Sequence, residues 1–253
     1  MRRYTVTDGI VIRRLPMPSG DLIVTLISEH GMWRAVARKG RLPGGNLGKL
    51  SLFHDVTVQY YRRSDDDLAL LTQVQLNGAL PRLSEPSVYP YANLLAELVD
   101  SLTVDVHLGE SLHELLASGL RGLNQHHSPE HVGLLYAWRL LAVAGLAPLL
   151  DRCQACGSQE GLTYFDAAAG GPSCERCASG TFVGTGVIEE LRLLVARSAR
   201  EAIATPPHEL GLHWRLLARY VSYHVSELNS LGALLVSRPD APAVTRPPLA
   251  TAG

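Results

Sequence analysis

The chain lacks any apolar run long enough to cross a bilayer. Its longest, Leu134 to Leu150, is broken by Arg139 and Pro148 and falls short of the roughly 20 residues a spanning helix needs, so no membrane segment is expected. The opening residues, Met1 to Asp8, lack the apolar core of a secretory signal, which predicts a cytoplasmic, reducing setting where structural disulfides are rare. Net charge is nearly absent as well, at −1 over 253 residues. Surplus cysteine is also missing: the four present all belong to two Cys-x-x-Cys pairs. With 46% hydrophobic residues, the chain can nevertheless bury a substantial core.

Catalytic motifs fail on inspection. Gly44-Gly-Asn-Leu-Gly48-Lys49 has the wrong spacing for a phosphate loop and continues with Leu50 where a magnesium-binding hydroxyl belongs. It reads better as a basic, glycine-rich excursion. His113-Glu114 starts like a zinc-protease helix, but Ala117 stands where the second histidine must be. His127 and His131 are four apart, yet the first lies beside Ser128-Pro129 at a helix start; His213 and His224 are isolated in the sequence. Asp65, Asp66 and Asp67 form a polar turn between strands with no partner carboxylate nearby. No catalytic residue is assigned, and the chain is not expected to be an enzyme.

What is present begins with the cysteines. Cys153-Gln-Ala-Cys156 and Cys174-Glu-Arg-Cys177 are separated by seventeen residues, 157 to 173, the spacing of a closed zinc knuckle. Two such turns brought together aim four thiolates at one point, and four protein ligands leave no position for water or substrate. One structural zinc ion is therefore expected. Two disulfides, or two unrelated redox pairs, are the alternatives.

The near-zero total conceals an asymmetry in charge. Residues 1 to 63 hold eleven Lys or Arg against four acids, a net +7, while residues 64 to 151 hold three Arg against eleven acids, a net −8. The basic third also carries β patterning. Runs at Asp8–Arg14, Asp21–Ser28, Met32–Arg38, Val56–Tyr61 and Leu68–Val74 are separated by turn-forming or polar segments, and the longest interruption falls between the third and fourth. This is the pattern of a five-stranded OB-type barrel, which binds nucleic acid through a basic groove and exposed aromatics. Arg34, Arg38, Lys39, Arg41, Lys49, Arg62 and Arg63 are the candidate phosphate contacts, with Arg13 and Arg14 as weaker ones. Trp33, Phe53, Tyr60 and Tyr61 are possible stacking residues; adjacent Tyr60 and Tyr61 must face opposite ways, and the outward one, taken as Tyr61, is available for stacking.

After the proline-punctuated crossing Leu80 to Pro90 the period becomes helical. Pro129 opens a third helix behind Ser128 that is apolar nearly all round and belongs at the centre of a bundle. Helical pattern resumes at Val187–Arg200 and at Leu210–Leu231. The expected class is α+β, with an OB-fold nucleic-acid-binding domain over 1–80, helical parts at 81–150 and 181–236, a four-cysteine module at 151–180 and a disordered Pro/Ala-rich tail at 237–253. Arg192, Arg197 and Arg200 either extend a DNA path along the fourth helix or form a solvated face paired with Glu189 and Glu190.

This layout resembles that of the RecO recombination mediators of bacterial DNA repair, over essentially residues 1 to 235. The likeness lies in Asp8-Gly-Ile-Val-Ile-Arg13, Gly20-Asp21-Leu-Ile-Val24, Gly31-x-x-x-Ala35-x-Ala37-Arg38-x-Gly40, Leu52-Phe53, and Arg139-Leu-Leu-x-x-x-Gly145-Leu-x-Pro148 leading into Cys153-x-x-Cys156. The complete cysteine set is similar to that of the zinc-bearing branch. The resemblance implies binding of single- and double-stranded DNA, annealing of complementary strands, contact with single-strand-binding protein, and action with RecR to help load the RecA recombinase, without nucleotide hydrolysis. It also implies a nucleoid-associated location. A non-catalytic zinc scaffold, or a nucleic-acid-binding protein of another pathway, is the alternative; a zinc nuclease or deaminase needs an open coordination position that four cysteines do not leave.

Overall fold

A computed structural model describes residues 4–39, 48–62, 68–78, 80–102, 108–196 and 198–236. The candidate residues Arg41, Arg63 and Arg197, the acidic turn at 65–67 and the tail from 237 lie outside them.

Strands β1 (Tyr4–Pro16), β2 (Leu22–Ser28), β3 (Gly31–Ala37), β4 (Asp55–Tyr61) and β5 (Ala69–Gly78) close a barrel in the order β1-β2-β3-β5-β4. Among the described residues the one parallel strand contact is β3 on β5, through Ala35 with Ala69 and Val36 with Leu70; it completes the OB barrel that the strand spacing predicts. β1 starts earlier than its apolar run suggests because it serves two neighbours. Tyr4–Ile10 pairs with β4 and Ile10–Pro16 with β2, and a bulge between Val11 and Arg13 turns it from one to the other. Val11, Val24, Leu26, Ala35, Val56 and Val58 fill the interior, all essentially inaccessible. Each buried Val or Leu contributes about 1.5–3 kcal/mol.

The outer face of the β1–β2 sheet is apolar too, and that attaches the barrel to the helices. Ile10, Ile12 and Ile27 join the core formed by α1 (Tyr89–Leu102), α2 (Gly109–Gln125) and α3 (Pro129–Val143). At the first residue of α2, Gly109 lies so close to the backbone of Gly31 that no Cβ fits between them. The crossing from barrel to bundle is a 3-10 turn, Pro81–Ser84, tied down by Arg82, whose Nη1 donates to the carbonyls of Asn124 and His126 at 3.2 and 2.9 Å. A cation there also complements the C-terminal dipole of α2. α3 is buried around its whole circumference, as its composition requires, with Pro129 in its first turn; the Ser128 side chain makes no capping bond.

Two predicted helices each prove to be two. The stretch 187–200 divides into α4 (Gly184–Ala196) and α5 (Ala199–Ala204) because Ser198 and Glu201 form a reciprocal capping box that starts a new helix. The stretch 210–231 divides into α6 (Leu210–His224) and α7 (Asn229–Val236), and the cap of α7 comes from far away: Glu97 of α1 accepts the backbone N–H groups of Asn229 and Ser230 at 2.9 and 2.8 Å. Between α3 and α4, strands β6 (Leu162–Asp166), β7 (Gly171–Cys174) and β8 (Thr181–Phe182) form a small sheet in the order β7-β6-β8.

Candidate metal centre and basic barrel face

Cys153 and Cys156 lie on the turn before β6, Cys174 ends β7, and Cys177 follows on a second turn. All four sulfurs lie within 4.8 Å of one another, and those of Cys156 and Cys174 are 3.7 Å apart. A tetrahedral ion with metal–sulfur bonds of about 2.3 Å requires sulfur separations of about 3.8 Å, whereas a disulfide requires about 2.05 Å. The donor set and its spacing therefore fit a soft divalent ion.

The two turns are built alike. The N–H of Gly157 donates to the carbonyl of Cys153 at 2.9 Å, and that of Ala178 to the carbonyl of Cys174 at 2.8 Å. Both residues have left-handed backbones, with φ of 76° at Gly157 and 46° at Ala178. Glycine enters that region freely, while alanine is strained there. Burial opposes ionisation of the Cys153 thiol, but backbone N–H groups of Cys174, Cys156 and Ala155 aimed at its sulfur prevail and lower its pKa to about 5. The Cys177 thiol, hydrogen-bonded to the sulfurs of Cys156, Cys174 and Cys153, is pushed up to about 12. Four thiolates this close repel one another, and a divalent cation removes that conflict.

On the barrel, Arg34 is exposed on the outer face of β3, opposite Thr25, which is itself opposite Arg13 on β1, so the two arginines share one cross-strand row. Arg13 already pairs with Asp100 of α1. Arg38 and Lys39 lie just past the end of β3 and are exposed. The Asp21 carboxylate accepts the Lys39 N–H at 2.8 Å; that bond, one from Ser19 and the two nearby cations hold its pKa below the ordinary carboxylate value. Lys49 donates to the carbonyl of Val74 at 3.0 Å, and Arg62 lies 5.5 Å over the Tyr60 ring. Arg14 is half-buried, and desolvation lowers its pKa.

The aromatics divide as strand alternation requires. Tyr60 packs on Trp33, ring centroids 4.7 Å apart, against the barrel interior, while Tyr61 turns the other way, 6.2 Å from Tyr4. Tyr4, 52% exposed, was not evident from the sequence because it precedes the apolar run of β1. Phe53 is buried. Far from the barrel, Arg192 donates through Nε to the carbonyl of Leu150 at 3.1 Å and pairs with Glu189, whereas Arg200 is exposed on α5. Glu190 does not pair with Arg192. It accepts the His208 backbone N–H at 3.1 Å and binds Nε2 of fully buried His213 at 2.7 Å, so the histidine that looked isolated joins α4 to α6.

Comparison with known proteins agrees along nearly the whole length. The family model Recombination protein O N terminal matches residues 1–79, and Recombination protein O C terminal matches residues 83–231. DNA repair protein RecO of Bifidobacterium longum strain DJO10A is 34% identical over 175 residues, which cover 66% of this chain and 72% of the relative. The protein of the same name from Desulfatibacillum aliphaticivorans is 28% identical over 239 residues, 87% of this chain and 92% of the relative. That of Bacillus subtilis strain 168 is 30% identical over 178 residues, 68% of each. With an OB barrel on a helical body, a convergent four-cysteine cluster and these matches on both halves, the chain belongs to the RecO family of DNA repair proteins.

Proposed function

We propose that the chain is a recombination mediator that binds single- and double-stranded DNA on its barrel, anneals complementary strands, and acts with RecR to help load RecA on DNA covered by single-strand-binding protein. The observation that carries this reading is the closed OB barrel with Arg34, Arg38 and Lys39 exposed on and just beyond β3. Cations there neutralise phosphates of a strand lying along the sheet, and holding two strands close while their repulsion is screened leaves base pairing to supply sequence. Arg41, Lys49, Arg62, Arg63 and Tyr61 are further DNA contacts in this proposal, and Arg13 and Arg14 contribute from β1. Arg192 is the weakest candidate because its guanidinium already serves Leu150 and Glu189; Arg197 and Arg200 stand with it as secondary contacts.

Zinc is the proposed ion for the thiolate cluster, and its role is structural, since four protein ligands leave it no open coordination position. No hydrolytic step is assigned. The protein works in the cytoplasm, associated with the nucleoid.

Binding of labelled single-stranded DNA across a salt series tests the reading, comparing the native chain with one carrying Arg34→Gln, Arg38→Gln, Lys39→Gln and Arg41→Gln. Weaker binding with a log–log salt slope shallower by up to about 0.7 per lost contact supports it. Equal binding by both chains moves the DNA platform off this face, and absence of binding by either favours a scaffold.

A further inference from the structure

A groove of 420 Å³ runs along the seam where the end of β1 and the segment entering β4 meet the Pro81–Ser84 turn and the start of α1. Its size falls within the ~300–1,000 Å³ range of small-ligand sites. Leu80, Leu83, Phe53 and Tyr89 give it apolar walls, Arg14 is its arginine, and no carboxylate lines it among the described residues.

Two features distinguish it from an ordinary crease. The first is Phe53, whose φ of 66° is in the left-handed region, an outlier for a bulky aromatic. It is held there by backbone pairing with β1: the Phe53 N–H donates to Val11 at 2.8 Å, and the Val11 N–H donates to His54 at 3.0 Å. The result is a fixed, buried Phe53 ring 5.6 Å from that of Tyr89, the two planes splayed by 60°, with Tyr89 41% exposed. One ring is a floor and the other an open wall. The second is Arg14, whose Nε is screened from solvent and has no hydrogen-bond partner among the described residues. A shielded guanidinium N–H lacking an acceptor is unfavourable until an anion supplies one. The neighbouring polar groups are already engaged: Ser51 with the Gly48 carbonyl, Ser84 with that of Pro81, and His54 Nδ1 with that of Lys49.

We infer that this seam groove receives one nucleotide of single-stranded DNA, its base lying against Tyr89 and its phosphate on the Arg14 guanidinium. This rests on the DNA-binding reading above and adds a site away from the β3 face that carries Arg34. An apolar slot with one aromatic wall and one guanidinium whose Nε has no acceptor among the described residues suits a group that is itself flat at one end and anionic at the other. A duplex keeps its bases stacked inside and cannot present one there, so the groove discriminates between strand states.

The test uses the native full-length chain with single-stranded DNA carrying bromodeoxyuridine, photo-crosslinked and mapped by peptide mass. It is paired with binding of single-stranded and duplex DNA by Tyr89→Ala, Tyr89→Phe and Arg14→Gln chains. Crosslinks within the peptide bearing Tyr89 are expected. Tyr89→Ala should weaken single-strand binding about fivefold or more, with duplex binding unchanged within about twofold and Tyr89→Phe close to native, and Arg14→Gln should weaken single-strand binding about fivefold or more as well. Crosslinks confined to the β2–β3 face, with Tyr89→Ala binding both forms normally, overturn the inference while leaving DNA binding intact. Protection of the groove by a partner protein and not by DNA overturns it too. Absence of DNA binding by the native chain removes both readings together. Because crosslinking needs no substitution, a variant that fails to fold does not block the decision.

Discussion

Among the described residues, the barrel closes five strands around twelve buried apolar residues from Val11 to Val74, whereas the three-stranded sheet of the cysteine module covers a cluster of only Cys153, Leu162 and Cys174, with Cys177 beside it. Both are β-built and both are small, yet one has an interior of side chains and the other an interior of sulfur. A segment of this length buries too little apolar surface to hold its shape alone, and a metal ion held by the four sulfurs would replace the missing core. Phe165 and Ala167, on and just after β6, pack into the helical core, so the body anchors the module but does not fill it.

Removing the ion should break the contrast most severely. Structural zinc supplies on the order of 10–16 kcal/mol of apparent folding free energy in small peptides, so chelation, or Cys174→Ser, is expected to abolish hydrogen-exchange protection over β6 to β8 while the barrel strands keep theirs. Simultaneous loss from both would mean that the two units are not separately stabilised. The salt slope of DNA binding should be unaltered.

The converse experiment is Leu26→Ala, which empties a fully buried site in the barrel. A loss of about 2–5 kcal/mol in denaturant unfolding is expected, without change in metal affinity; weakened metal binding would show that the barrel props up the module.

The two cysteine turns sharpen the comparison within the module. Ala178→Gly relieves a left-handed alanine and should stabilise the metal-bound chain by about 0.5–1 kcal/mol, and Gly157→Ala should destabilise it by about 1–2 kcal/mol. Metal-competition titrations against a chromogenic chelator would detect either. Equal effects of the same sign would refute the equivalence of the turns.

The smallest effect concerns protons on the helical body. Burial lowers the pKa values of His131 and His213 from 6.5, against the opposing pull of Glu190 on His213. Groups held neutral in the fold contribute stability that is complete above about pH 6.5 and is lost as pH falls toward their depressed folded values. Denaturation midpoints should therefore drop between pH 7 and pH 5.5, and His131→Leu should flatten that dependence. An unchanged slope would assign the acid sensitivity elsewhere.

Much of this was legible in the sequence because it is local. Cysteine spacing, the β-branched run Asp21–Ser28, the alternation of Met32–Arg38, and Pro129 at a helix start each depend on a handful of adjacent residues. What could not be read depends on partners brought together by folding. The barrel closes through two residue pairs between β3 and β5. The helix at 210–231 ends early because a carboxylate 132 positions upstream caps its successor. Arg13 and Arg192, counted as charge, are occupied by Asp100 and by the Leu150 carbonyl, neither of which any periodicity marks. His213 looked solitary because its partner, Glu190, is 23 residues away on another helix.

The contact of Gly109 with Gly31 has a mechanical consequence. With no side chain between the β2–β3 hairpin and the head of α2, the two backbones bear directly on each other, and the barrel has no hinge there about which to swivel. If the barrel holds a DNA strand as proposed, tension on that strand would pass straight into the head of α2 at this contact. A single methyl group, introduced by Gly109→Ala, would act as a wedge at the fulcrum.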